Sequence, residues 1–205
     1  MEVTVTMDNL ASTLQQKLSE ALSSVVQQPV TLQLGHFGLV PLSEIQMMAG
    51  QSSVTAIYIP LLGDLIGDLF LFLDSVSSVV FADLMIGNEV GKTTAIGEFE
   101  SSALKELGNI CSGVIVTELA NVLKLSIILT VPNLVTDFAQ AVIDQVLISY
   151  SENNTEALAI YLPFTIKGHV ASGSFLLLFD KVGFERMTQL LQVPGALPET
   201  ETHAS

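Results

Sequence analysis

Ala56-Ile57-Tyr58-Ile59-Pro60 returns 103 residues later as Ala159-Ile160-Tyr161-Leu162-Pro163, an apolar β-type run closed by proline in both places. Gly67-Asp68-Leu69-Phe70-Leu71-Phe72-Leu73-Asp74 is echoed 106 residues later by Gly173-Ser174-Phe175-Leu176-Leu177-Leu178-Phe179-Asp180, so the offset grows by three in the intervening turn. Two matched blocks in the same order read as a duplication. A helical pattern follows each second block, over Val76 to Met85 and over Val182 to Leu191. Each half also opens on a helix, Asp8 to Val26 and Glu98 to Leu123, which leads into a β-rich run, Val30 to Leu34 and Ser126 to Val131. The strand runs Phe70 to Leu73 and Phe175 to Phe179 lack alternation, as strands covered on both faces do. The expected fold is therefore α/β: duplicated helix-strands-helix units, repeat one about 7–90 and repeat two about 98–192, forming one layered domain over 1–193 with pseudo-twofold symmetry. The Pro-bearing segment 194–205 is expected to be a flexible tail.

Acidic residues outnumber basic ones 21 to 7, for a net charge of −14, which repels phosphate backbones and excludes nucleic acid as a partner. With 49% hydrophobic residues the chain is too apolar for disorder, so membrane insertion has to be tested. Val54 to Leu73 carries Pro60, Asp64 and Asp68, while Ile110 to Val131 carries Glu118, Asn121 and Lys124, so neither reads as a spanning helix. The opening MEVTVTMDN has no basic region followed by an apolar core, and a cytoplasmic location is expected. Cys111 is the only cysteine, which rules out an intrachain disulfide and Cys-rich metal sites.

Three motifs fail on chemistry. Gly87-Asn88-Glu89-Val90-Gly91-Lys92-Thr93-Thr94 has three residues between its glycines where a phosphate-binding loop needs four, and it follows a helix rather than a strand, so it reads as an inter-repeat linker. His36, His169 and His203 lie far apart and none has helical metal-ligand spacing with a carboxylate. No Gly-x-Ser-x-Gly elbow occurs, and Cys111 falls on an apolar helical arc, where a thiol is inert.

That arc belongs to the second opening helix. At about 100° per residue with Glu106 at zero, Leu104, Leu107, Cys111, Val114, Ile115 and Leu119 span roughly +80° to +220° and face the core. Ser102, Glu106, Asn109 and Gly113 fall at roughly −40°, 0°, −60° and −20°, a narrow polar stripe on the other side. Glu106 and Asn109, three apart, can point together at one external ligand, although an ordinary solvated face has the same look. Gly113, Thr117 and Ala120 continue the stripe with small side chains that admit a close partner surface.

Ser102, Glu106, Asn109 and Pro132 are separated by three, two and twenty-two residues, a spacing that resembles the signature of the CheC/CheX/FliY family of chemotaxis phosphatases. Leu107-Gly108-Asn109-Ile110-Cys111-Ser112-Gly113 is similar to that family's helix segment after the glutamate, and the resemblance covers most of residues 7 to 192. It implies the duplicated fold and hydrolysis of the aspartyl phosphate on a response-regulator receiver domain such as phosphorylated CheY. In those roles Asn109 would orient the attacking water and Glu106 would anchor a lysine of the receiver. Ser102 would assist contact or helix placement, Gly113 would line the binding surface, and Pro132 would shape the chain where a strand ends. No cofactor is implied for this chain; Mg2+ would sit in the partner's own acidic pocket. No surface-antigen-type extension follows, so a stand-alone CheC-like protein is the expected form.

The first half departs from the pattern. Aligning Ser23-Ser24-Val25-Val26 with Ala120-Asn121-Val122-Leu123 sets Asn9 opposite Glu106 and Ser12 opposite Asn109, so one active site per chain is expected. The alternative reading is a non-enzymatic adaptor that binds a receiver or a CheD-like deamidase. A third is a structural module whose apolar strands pair with another copy.

Overall fold

The computed structural model describes residues 7–152 and 154–191; the expected tail at 194–205, His203 and residue 192 of the second repeat lie outside the described residues. The first opening helix, α1 (Met7–Val26), places Leu10, Leu14, Leu18, Leu22 and Val26 at four-residue intervals, and all five are buried. After it come β1 (Val30–Leu32), β2 (His36–Pro41), α2 (Leu42–Ala49), β3 (Ser53–Gly63), β4 (Gly67–Asp74) and α3 (Ser75–Ile86). The second half repeats the order: α4 (Glu98–Leu123), β5 (Ile127–Leu129), β6 (Asn133–Phe138), α5 (Ala139–Ser151), β7 (Glu156–Ile166), β8 (Ser172–Phe179) and α6 (Lys181–Leu191). The fold is thus the expected duplicated α/β architecture, with one correction. Each unit contains an extra helix, α2 or α5, between its strands, for which a helix-strands-helix order leaves no place.

All eight strands join one antiparallel sheet in the order β1-β7-β8-β4-β3-β5, with β2 continuing β1 along β7 and β6 continuing β5 along β3. Strands β4 and β8 pair at the centre, Gly67 against Phe179, Phe70 against Leu176 and Leu73 against Gly173. Phe70 and Leu176 occupy equivalent positions of the two repeats, so the pseudo-twofold axis passes between them. The register explains both repeated glycines. A Cβ on Gly67 would run into the Phe179 ring, and one on Gly173 would meet Leu73 Cδ2 at 2.7 Å. It also explains the aspartates that close each block: Asp74 accepts from the Ser77 N–H at 2.7 Å and Asp180 from the Gly183 N–H at 2.8 Å, each capping the helix that follows.

The repeated prolines have a common cause as well. Along β3 the partner changes from β6 to β5 at Pro60, whose carbonyl accepts from the Thr130 N–H at 3.2 Å. Along β7 it changes from β2 to β1 at Pro163, whose carbonyl accepts from the Gln33 N–H at 2.9 Å. A residue's N–H and C=O point the same way in a strand, so the missing donor of each proline falls where the ladder is already broken.

Two apolar clusters cover the sheet. On one face α1, α3, α4 and α6 bury Leu14, Phe81, Leu107 and Met187 against Ile57, Leu71, Phe164 and Phe175. On the other, α2 and α5 bury Ile45, Ile143 and Leu147 against Phe70, Phe72 and Leu176. The central strands are therefore apolar on both sides, which accounts for their lack of alternation. Among the described residues no helix is long and apolar enough to cross a membrane.

Candidate functional site

Helix α4 carries the candidate site, and its ends are fixed by local chemistry. The Gly97 N–H donates to Glu100 Oε2 at 3.0 Å, Glu98 and Glu100 sit at the positive end of the helix dipole, and Lys124 closes the helix at a φ of 57°. Gly108 sets its distance from the sheet, since a Cβ there would lie 2.6 Å from Ile57 Cγ2. Leu104, Leu107, Cys111, Ile115 and Leu119 are fully buried along the same side, whereas Val114, expected in the core, is only half-buried. Burial without a charged neighbour pushes the Cys111 thiol up to about 12, so it stays protonated.

With that rotation fixed, Ser102, Glu106 and Asn109 are exposed and Gly113 is half-buried. The Glu106 carboxylate and the Asn109 amide, one turn apart on the outer face, have no hydrogen bond or ion pair with any described residue. The fold leaves both groups available to an outside molecule. The Ser102 hydroxyl donates to the Glu98 carbonyl at 2.9 Å, so its proton is engaged within the helix. Nothing lies within 4 Å of where a Gly113 Cβ would stand, and the residue opens onto a shallow groove between α1 and α4 walled by Lys17, Ala21, Ile110 and Thr117. Pro132 is off the helix, half-buried in the link between β5 and β6 that faces Pro60.

The first half carries no second pair. The buried residues of α1, Leu10, Ala11, Leu14, Leu18, Leu22 and Val26, superimpose in sequence on Leu107, Gly108, Cys111, Ile115, Leu119 and Leu123 of α4. That register sets exposed Asn9 and Ser12 where Glu106 and Asn109 stand.

Two further polar clusters escape sequence reasoning. On the face covered by α2 and α5, Asp68 accepts from the Tyr58 hydroxyl at 2.7 Å and the Tyr150 hydroxyl at 2.9 Å, beside a cavity of about 620 Å³. Burial raises the Asp68 carboxyl above its ordinary value, although both tyrosines favour its charged form. Tyr58 reaches Asp68 from the neighbouring β3 and Tyr150 from α5, 82 residues away along the chain, so spacing gives no signal for the cluster. In the second cluster the linker wraps Asp83 of α3: the N–H groups of Gly91, Lys92 and Thr93 donate to its carboxylate at 2.9, 3.1 and 3.1 Å. The glycine-bearing loop is a genuine anion cradle whose anion is the chain's own side chain.

Glu106 and Asn109 thus form an exposed acid and amide on one long helix of a duplicated α/β fold, their side chains without a partner among the described residues. Residues 99–136 match the CheC-like family. The CheY-P phosphatase CheC of Bacillus subtilis is 28% identical over 146 residues, covering 69% of this chain and 70% of that one. In fold the chain is similar to Thermotoga maritima FliY, with a TM-score of 0.70, 17% identity and coverage of 89% and 92%. It is also similar to the FliM middle domain of H. pylori, with a TM-score of 0.58, 14% identity and coverage of 92% and 99%. The chain is thus similar to the CheC/CheX/FliY family, in sequence through residues 99–136 and the CheC relative, and in fold through FliY.

Proposed function

We propose that this chain hydrolyses the aspartyl phosphate of a CheY-like receiver domain, with Asn109 positioning the water and Glu106 holding the partner. The observation that carries the reading is the pair of unpartnered side chains, Glu106 and Asn109, one turn apart on the exposed side of α4. An aspartyl phosphate is an activated acyl phosphate, so the catalyst has only to hold a water in line with the phosphorus. An amide both donates and accepts, and it holds that water without titrating. Water attacks phosphorus, the bond to the aspartyl oxygen breaks, and inorganic phosphate leaves with the aspartate regenerated. Glu106 supplies a charged acceptor for a lysine of the receiver. Ser102 helps place the first contact turn, Gly113 admits the partner's backbone, and Pro132 shapes the chain beside the site. This chain needs no cofactor of its own in the scheme, and the divalent cation belongs to the receiver. Residues 1–193 act as one domain, in the cytoplasm where receivers work.

The deciding experiment follows phosphate loss from a candidate receiver of the same genome, with magnesium, alone and with the chain. Wild type is expected to shorten the phosphate lifetime, and Asn109→Ala to abolish the gain by about 10²-fold or more while retaining binding. Full acceleration by Asn109→Ala refutes the water-positioning role. Glu106→Lys is expected to weaken association by repelling the receiver's lysine; unchanged affinity removes the anchor. A second reading, an adaptor that binds a receiver or a CheD-like deamidase without hydrolysis, draws on the missing pair in α1. Binding with no change in phosphate lifetime selects it.

A further inference from the structure

The first turn of α4 holds a side chain that the fold does not use. Phe99 is 67% exposed, whereas Ile96, just before the helix, packs against the core. The helix start is secured by Gly97 and Glu100 without it. Continuing the helical wheel back by seven residues from Glu106 sets Phe99 at roughly +20°, at the edge of the stripe of Ser102, Glu106, Asn109 and Gly113. An aromatic ring held in water on a site-bearing face is a candidate anchor, since aromatic residues supply much of the energy of protein interfaces. Its surroundings define what it can enter. Glu98 and Glu106 make this end of the face acidic, with Lys105 the one cation between them in sequence.

We infer that Phe99 is the apolar anchor of the docking face and sets which receiver is accepted, by entering an apolar depression rimmed by basic groups on the receiver. The inference rests on the phosphatase reading for the identity of the partner. A rise of 1.5 Å per residue places the Phe99 Cα about 10 Å along the helix axis from that of Glu106 and about 15 Å from that of Asn109. An accepted receiver therefore carries its depression about 10 Å from the lysine that meets Glu106, and about 15 Å from its phosphorylated aspartate. Phe99 touches neither the phosphate nor the water; it is a positioning residue.

The test uses the full chain with a CheY-like receiver, phosphorylated for turnover and carrying beryllium fluoride for binding. Phe99→Ala is expected to raise KM and the dissociation constant at least tenfold while kcat at saturating receiver stays near wild type. Phe99→Leu is expected to recover most of the loss. The thermal unfolding of Phe99→Ala should match wild type, because so exposed a ring packs on little. Unchanged KM and affinity in Phe99→Ala overturn the anchor even if the wild type is an active phosphatase. Conversely, weakened binding by Phe99→Ala in a chain that never shortens the phosphate lifetime sustains the anchor and removes the phosphatase reading. A wild type that binds no receiver overturns both.

Discussion

Asp83 is fully buried, and burial alone would push its carboxyl upward, yet the hydrogen bonds from Thr93, Gly91 and Lys92 outweigh that and hold it below the ordinary carboxylate value. A depressed folded-state value means that the carboxylate stabilises the fold above the unfolded value, about 3.9, and that this contribution is lost as pH falls through the folded value. Asp83→Asn replaces an acceptor oxygen by an amide NH2 that faces N–H donors. It should cost about 1–3 kcal/mol at pH 7, read from urea unfolding, and the gap to wild type should narrow as pH falls through the depressed folded-state value. Asp68 acts with the opposite sign. Its raised value means that stability from this group grows as pH falls through the folded value, which partly offsets the loss at Asp83. Neither role was legible in the sequence, for a physical reason. The loop Gly87 to Thr94 was readable as glycine-bearing and unsuited to nucleotide, but the direction of its N–H groups follows only from the way it folds back over α3.

Among the elements, α4 was legible to its ends, because Gly97 and the run of buried positions at three- and four-residue spacing both show in the sequence. Its polar stripe was legible for the same reason, down to the exposure of Ser102, Glu106 and Asn109. The short helices α2 and α5 were not. α2 has only eight residues and fully buries a single side chain, Ile45, so its periodic signal is weak, while α5 sits between strands in a Val- and Ile-bearing segment that also suits a strand. Two glycines of α4 illustrate how differently one residue type can serve one helix. Gly108→Ala should destabilise by about 1–3 kcal/mol, since its methyl meets Ile57 and the helix must lift from β3. Gly113→Ala has open space around it and should stabilise by about 1 kcal/mol through helix propensity, while weakening receiver binding if the partner's backbone comes close. Denaturant midpoints for the two variants should therefore move in opposite directions.

At the scale of the molecule, the duplication was readable from two short echoes, whereas the exchange of strands between the repeats was not. The strands β1 and β2 of the first half pair with β7 of the second, and β5 and β6 of the second pair with β3 of the first. Sequence similarity shows that two units match; it carries no information on whose edge each strand completes. The consequence is energetic. Cut between α3 and α4, each half retains its hairpin, β3 with β4 or β7 with β8, but loses the partner of its edge strands and the central pairing of β4 with β8. A lone hairpin with unpaired edges and an uncovered apolar face is marginal in water. Fragments 1–97 and 98–205 are therefore each expected to lack cooperative unfolding alone and to regain one shared transition when coexpressed, as read by circular dichroism during thermal melting. A fragment that melts cooperatively by itself would show that one repeat can close its own sheet, and the interlocking would then be a feature of assembly rather than a condition of folding.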